Sequence, residues 1–261
     1  MKISDRIKYE LNDLVVLLRS IPSLTVTCFV LSVVCMNLLA NKELVTTEYL
    51  ALDCGFSLSW FSFLCMDMIC KRFGPKAAMK VSLVALFINL ATCGLFNLLS
   101  HTPGMWGEFY SYLKTNPEMA NVANAALNTT FGGSWYVVFG SALAMFISSG
   151  VNSFVNYFVS KITKSTGFRN FAVRSYISTL VGQFVDNFIF AMVVSHVFFG
   201  WTMTQVIVCS ITACLIELVC EIVMSPIGYK MVCSWEKHDV GREYLDLKAN
   251  EIKGTSNNCF E

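Results

Sequence analysis

Three acidic side chains lie inside long apolar runs in the last third of the chain. Asp186 follows Gln183 by about one helical turn, and Glu217 precedes Glu221 by four residues, so the two glutamates share one helix face. A charge near the centre of a bilayer costs about 2.5–3.5 kcal/mol on insertion scales, so such groups usually face a cavity or a partner. Two carboxylates at this spacing do not both ionise easily in low-polarity surroundings, so one holds a proton or a cation lies nearby. The pattern predicts a buried polar binding site.

Further polar residues interrupt the other apolar runs. Asn37 lies near the end of the first run and Asn152 within the fourth. Each either joins neighbouring helices through hydrogen bonds or contacts a ligand. Asp67 lies near the end of the second run, where it either pairs with Lys71 or Arg72 or forms a structural or gating element together with Lys71.

Small residues recur every four positions in the fourth run, at Gly140, Ala144 and Ser148. Small side chains at this spacing let two helix backbones approach closely. We interpret the three as packing residues without a chemical role.

Six apolar runs are long enough to carry these polar groups across a membrane. A helix needs about 20 mostly apolar residues to cross the hydrocarbon core. The runs cover residues 22–40, 49–70, 81–99, 135–160, 176–200 and 203–232. We therefore predict an all-α membrane protein with six transmembrane helices. Residues 22–234 form the membrane domain, between an amphipathic segment at 1–21 and a polar tail at 235–261.

Basic residues alternate from one connection to the next. Of the 19 Lys and Arg residues, only Lys42 and Lys114 lie in the connections after the first and third runs, and the connection after the fifth run has none. Since cytoplasmic segments are enriched in Lys and Arg, both ends of the chain are predicted to be cytoplasmic. The long outer connection at 101–134 either caps the bundle or closes over an outer cavity.

Composition excludes several classes of protein. Only 14% of the residues are charged and 55% are hydrophobic, which is unlike a soluble domain. The net charge of +1 provides no basic face for nucleic acid. None of the 11 cysteines forms a CxxC pair, and P-loop, HExxH and GxSxG motifs are absent. We therefore expect no enzyme activity, no cofactor and no metal site.

Short motifs in several runs resemble those of one transporter family. The fifth run contains the densest set, with Gly182-Gln183 and Val185-Asp186 followed by Ile189-Phe190. The other fragments are Asn37 with Ala40-Asn41-Lys42, Asp67 with Phe73-Gly74, Phe131-Gly132, and Glu221 with Ser225-Pro226 and Tyr229. In this order they resemble the queuosine precursor transporter family, also called the vitamin uptake transporter family. The sequence departs from the family at Lys71, Glu217, Ser149 and Asn152.

This resemblance implies import of a 7-deazaguanine, such as 7-cyano- or 7-aminomethyl-7-deazaguanine or queuine, across a bacterial plasma membrane. It places substrate contacts at Asn37, Asn152, Gln183, Asp186, Phe190, Glu217 and Glu221. A carboxylate at Asp186 or Glu221 accepts two adjacent N–H groups of a guanine-like edge, while Phe190 or Trp60 stacks on the ring.

Two alternatives stay open at this point. The chain either carries another vitamin or nucleobase, alone or as a substrate-binding subunit served by separate ATPases, or it is a structural membrane protein whose polar residues only join helices. The sequence does not decide the energy source or whether the chain forms a homo-oligomer.

Overall fold

A computed structural model describes residues 3–162 and 168–257 of the chain. It is built almost entirely from helices, with one small hairpin. The long helices are α1 (Ile3–Ser20), α2 (Ser23–Leu39), α3 (Phe56–Phe73), α4 (Pro75–Ser100), α5 (Pro117–Gly132), α6 (Trp135–Ile162), α7 (Phe168–Phe190), α9 (Met203–Lys237) and α10 (Arg242–Asn257). A 3₁₀ turn covers Gly107–Tyr110, and the π-helical turn Ala191–His196 joins α7 to the short α8 (Val197–Phe199).

The predicted all-α class agrees with the structure apart from one small element. Strands β1 (Glu43–Thr46) and β2 (Ala51–Asp53) form an antiparallel hairpin. The predicted second run, 49–70, therefore begins in a strand, and its helix starts only at Phe56. Strands this short have too few residues for an alternating pattern, so the apolar residues of β2 merged with those of α3 in the sequence.

Four helices of the described chain are long and apolar enough to cross a membrane: Pro75–Ser100, Pro117–Ser148, Thr179–Phe199 and Met203–Lys237. A fifth span results if Ser4–Ser20 and Ser23–Leu39, which meet at a bend of 106°, count as one. Helix α3 is not apolar enough to be counted among them, because its last turns contain the charged residues Asp67, Lys71 and Arg72. The multi-pass membrane class is confirmed, while the count of six spans stays a prediction.

Helix ends follow local sequence signals. Helix α5 begins with Pro117, and the side chain of Asn116 caps it by accepting a hydrogen bond from the Met119 N–H at 3.2 Å. Between α3 and α4, Gly74 adopts a φ of 91°, which glycine tolerates at no steric cost, and Pro75 starts the next helix.

The chain divides into two compact units. Unit 1 comprises Met1–Ser32, Phe61–Ala85 and Glu221–Glu261, and unit 2 comprises Val33–Trp60 and Leu86–Cys220.

Unit 1 contains helix α1, which packs against α10. The α1 carboxylate of Asp13 is fully buried and lies 2.5 Å from Lys80 Nζ and 2.6 Å from Lys248 Nζ. The Phe73 ring contacts Trp235 and Tyr244, and an added Cβ at Gly241 would lie 2.2 Å from that ring. The other face of α1 exposes Ile7, Leu11 and Val15, so the predicted amphipathic helix exists, and its place at the membrane surface stays a prediction.

Two apolar clusters lie among the described residues of unit 2. One packs the hairpin residues Ala51 and Leu52 against Trp201 and the start of α9. The other joins Ala40, Val137 and Val194. Gly140 lies so close to Val194 that an added Cβ would stand 2.2 Å from the valine Cγ2, which confirms the predicted packing role of this glycine.

Candidate functional site

Asp186 on α7 is held by a side chain of α6. The Ser148 hydroxyl donates to Asp186 Oδ1 at 2.7 Å, and Ser148 itself is buried. The interpretation of Ser148 as a packing residue alone is therefore wrong. Its hydroxyl fixes the orientation of the carboxylate, whose two oxygens offer about four acceptor positions in total.

Glu217 on α9 has two hydrogen-bond donors around it. Its side chain is 1% exposed, and Oε2 accepts from Asn187 Nδ2 at 2.9 Å. The Ser59 hydroxyl of α3 donates to Oε1. Glu217 also interacts electrostatically with Asp186, which places both carboxyl groups in one polar region of unit 2.

Ser59 and Asn187 were not predicted as site residues. Isolated serines and asparagines are common in apolar helices, and neither lies in a motif that sets it apart. The position of Asn187 directly after Asp186 was the one available signal.

Asp53 is a further acidic residue of unit 2 that sequence reasoning missed. It lies in β2, outside the helices that can span a membrane, and its Oδ1 accepts from the Gly55 N–H at 2.7 Å. Burial raises the pKa of Asp53 to about 6, against backbone hydrogen bonds that lower it. Asp53 interacts electrostatically with Glu217, so it extends the acidic region toward the hairpin.

Gln183 differs from these groups because no described residue forms a hydrogen bond with its buried amide. The side chain is 1% exposed, and within the described part of the chain neither Oε1 nor Nε2 has a hydrogen bond. A buried polar group without a partner costs about 1–3 kcal/mol. A ligand or a water molecule that bonds the amide would remove this cost. Gln183 precedes Asp186 by three residues on α7, close to one helical turn.

Asn37 is buried near the end of α2, and its Nδ2 donates to the Val33 carbonyl at 3.0 Å. One of its two amide hydrogens is thus bonded to the helix backbone. This bond fits the structural alternative for Asn37 in part. Phe190 packs against the cluster of Ala40, Val137 and Val194. The side chain of Asn152 lies outside the described residues.

Glu221 belongs to unit 1 and bonds to Asp67 on α3. A hydrogen bond between two carboxyl groups requires that one of them carries a proton. The two glutamates that share a helix face in the sequence therefore engage partners on other helices: Asp67 for Glu221, and Ser59 and Asn187 for Glu217. The ammonium of Lys71, the other predicted gating residue, lies 3.9 Å from the centre of the Tyr229 ring.

Within residues 3–162 and 168–257, no three His, Cys, Asp or Glu side chains converge on a point that could hold a metal ion. The polar region of unit 2 contains instead carboxylates, amides and hydroxyls. These groups suit an uncharged or weakly charged organic ligand that donates several hydrogen bonds.

Long apolar helices with buried hydrogen-bonding groups between them define the class: a multi-pass membrane protein with an internal polar site. The family model described as "Putative vitamin uptake transporter" matches residues 53–231, and the chain belongs to this family. No curated protein and no solved structure matches the chain. The predicted family is thus confirmed at the level of vitamin uptake transporters, which fits a small-molecule substrate and agrees with a chain that is not an enzyme.

Proposed function

We propose that this transporter imports a queuosine precursor, a 7-deazaguanine such as 7-cyano- or 7-aminomethyl-7-deazaguanine or queuine. The observation that carries the proposal is the Gln183 amide, which is buried without a hydrogen-bond partner among the described residues, one turn from the Asp186 carboxylate. Transporters of other vitamins or nucleobases fit the same family, and the choice between them depends on the chemistry of this site.

The edge of a guanine-like ring presents adjacent N–H donors from a ring nitrogen and an exocyclic amine. A carboxylate accepts both at once, and buried charge-assisted hydrogen bonds of this kind are strong. Ser148 occupies one acceptor position on Asp186 Oδ1 and orients the group for the ligand. The Gln183 amide then donates one hydrogen bond to the same ligand and accepts another from it.

The polar site also provides selectivity. An apolar pocket separates similar rings poorly, whereas a site with buried acceptors rejects a ring that leaves those acceptors unpaired. A vitamin without adjacent N–H donors would leave the Asp186 carboxylate and the Gln183 amide unsatisfied. The arrangement therefore favours a guanine-like substrate over other small molecules of similar size.

The proposal includes a topology. We place six spans in a bacterial plasma membrane with both termini in the cytoplasm, because 17 of the 19 basic residues fall in the two terminal segments and in the connections after the second and fourth runs. In this arrangement two of the six spans are α2, which is short, and α3, which is charged at one end.

A thermal-shift screen of the purified protein tests the substrate class. A ligand that binds only the folded state raises the melting temperature by mass action. We expect 7-cyano-7-deazaguanine to raise it, and riboflavin, biotin and thiamine to leave it unchanged. Stabilisation by one of these vitamins, with none by any deazaguanine, would replace the proposed substrate.

The variant Asp186→Asn tests the site. The asparagine keeps the size of the side chain but replaces one acceptor oxygen by a donor that faces the N–H groups of the ligand. We expect uptake to fall at least about tenfold, because a single unmade charged hydrogen bond costs about 1.5–3 kcal/mol. Wild-type uptake by a well-expressed Asp186→Asn protein would remove this residue from the site.

A further inference from the structure

The hairpin of β1 and β2 lies at one end of the polar region of unit 2. Strand β2 belongs to an apolar cluster, the hairpin cluster, that it forms with residues of α7 and α9. On α7 this cluster begins at Phe188, two residues after Asp186. On α9 it ends at Cys209, about two turns before Glu217. Along both helices the hairpin therefore lies beyond the polar groups, at the same end.

In the proposed topology this end faces outward. The hairpin and the link from α8 to α9 lie in the connections after the first and fifth runs, which together contain one basic residue, Lys42. An imported substrate arrives from this side. The side chains of Gln183 and Glu217 are each 1% exposed, so a ligand reaches them only after an element of the protein moves. The hairpin lies on that route.

Two hydrogen bonds fasten the hairpin to the start of α9. Trp201 Nε1 donates to Glu43 Oε1 at 2.7 Å, and Gln205 Nε2 donates to the Thr47 carbonyl at 2.8 Å. An isolated two-stranded hairpin is only marginally stable. Glu43 also stands opposite Asp53 across the two strands, where like charges weaken the pairing. The position of the hairpin thus depends on its contacts with α9 and the hairpin cluster.

Helix α7 changes its geometry where it meets the hairpin cluster. The π-helical turn Ala191–His196 begins there, with Ala191 inside the cluster and Met192 packed against it. Single π-helical turns are frequent at functional sites. A local change of helix type at this contact fits a part of the molecule that moves.

We propose that the hairpin is the outer gate of the transporter. The Trp201–Glu43 and Gln205–Thr47 hydrogen bonds hold the gate closed, and their release admits the substrate to the polar region of unit 2. This inference rests on the proposed function and its topology, and it deepens them by assigning the route of entry.

Cys209 reports opening of the gate without an engineered probe. Its side chain is 7% exposed within the hairpin cluster, so a charged, membrane-impermeant methanethiosulfonate reagent modifies it only when the hairpin moves away. The labelling rate is measured on the purified full chain in proteoliposomes by mass spectrometry of the peptide that contains Cys209. We expect Trp201→Phe, which removes one hydrogen bond of the gate, to raise this rate about three- to tenfold.

The matched control is the same substitution at the other outer connection. Trp106 Nε1 donates to Asn128 Oδ1 at 2.9 Å, and both residues lie in the long connection 101–134. Trp106→Phe should therefore leave the labelling of Cys209 at the wild-type rate. Cys65, which is 1% exposed on α3, should be labelled slowly in all three proteins and so shows that the chain stays folded.

Ligand kinetics test whether this opening admits the substrate. A gate on the route of entry limits association and dissociation alike. For 7-cyano-7-deazaguanine we expect Trp201→Phe to raise both rate constants by the factor found for Cys209 labelling, with the dissociation constant unchanged. A hydrogen bond with a structural role alone would lower the melting temperature and leave these rate constants as they are.

The outcomes separate the gate from the proposed substrate. Equal labelling of Cys209 in Trp201→Phe and wild type overturns the inference, and so does faster labelling with unchanged ligand kinetics, because the ligand then enters elsewhere. Faster labelling of Cys65 as well would show general loosening and overturn it too. If the wild-type protein binds no deazaguanine, the proposed function fails, while the labelling rates still support or overturn an opening hairpin. Should Trp201→Phe not fold, Glu43→Ala removes the same hydrogen bond from its exposed partner.

Discussion

The two units bury polar side chains in different ways. In unit 1 the Asp13 carboxylate is enclosed with the ammonium groups of Lys80 and Lys248. In unit 2 the amides of Gln183 and Asn89 are buried without partners among the described residues. Paired charges hold helices in place. Buried amides without a partner lower stability unless a ligand or a water molecule forms the missing hydrogen bonds. This difference supports the proposal that the ligand is recognised in unit 2, while the ion pairs of unit 1 hold its helices together.

The largest expected effect concerns the paired charges of unit 1. Asp13→Asn removes the charge that faces two lysines, and breaking a buried ion pair from one side costs about 3 kcal/mol or more. We expect a clearly lower melting temperature, with substrate affinity per folded molecule unchanged. The matched control is Glu10→Gln, since Glu10 bonds the same Lys80 from an exposed position and should contribute less than about 1 kcal/mol. Equal losses from both variants would contradict the special role of the buried carboxylate.

The same carboxylate predicts a dependence on pH. Burial by itself raises the pKa of Asp13, but hydrogen bonds from Lys248 and Lys80 outweigh burial and hold the pKa below its ordinary value of 3.8. The stabilisation is therefore fully present above that value and is lost as pH falls through the lowered pKa of the folded state. Melting temperatures measured from pH 7 down to pH 3 should show the gap between wild type and Asp13→Asn closing at the acid end. A gap that stays constant would mean that ionisation of Asp13 does not stabilise unit 1.

The expected effect on stability is smaller, and of opposite sign, for Gln183→Leu in unit 2. Removal of an unpaired buried amide should leave the free protein as stable or stabilise it by about 1 kcal/mol, while ligand binding weakens. The comparison variant Asn187→Leu removes a side chain that donates a hydrogen bond to Glu217, so it should lower the melting temperature. Thermal melts with and without 7-cyano-7-deazaguanine separate the two. A strong loss of stability in Gln183→Leu would show that the amide has a structural partner.

Asp186, Glu217 and Glu221 were conspicuous in the sequence because a carboxylate in an apolar run is costly. Ser59 and Asn187, which contact Glu217, could not be singled out from the sequence because neutral polar residues are ordinary in such runs. Sequence reasoning also missed the contact between Glu221 and Asp67, since that contact depends on how helices distant in sequence pack together.

The elements of the fold were likewise predicted only in part from the sequence. Long apolar runs predicted helices α4, α6, α7 and α9, and charge and apolar spacing predicted α1. The hairpin of β1 and β2 and the helix α5 inside the long outer connection were not predicted. The hairpin strands have only four and three residues, and α5 has a polar sequence without a marked apolar face.

Uptake of labelled 7-cyano-7-deazaguanine into proteoliposomes that contain the purified protein is the most direct test of the proposed substrate recognition. We predict uptake by the wild-type protein that an excess of unlabelled guanine-like ligand abolishes, and at least about tenfold less uptake by Asp186→Asn reconstituted at the same density. Absence of wild-type uptake, or equal uptake by both proteins, would contradict recognition of the substrate by the buried polar groups of unit 2.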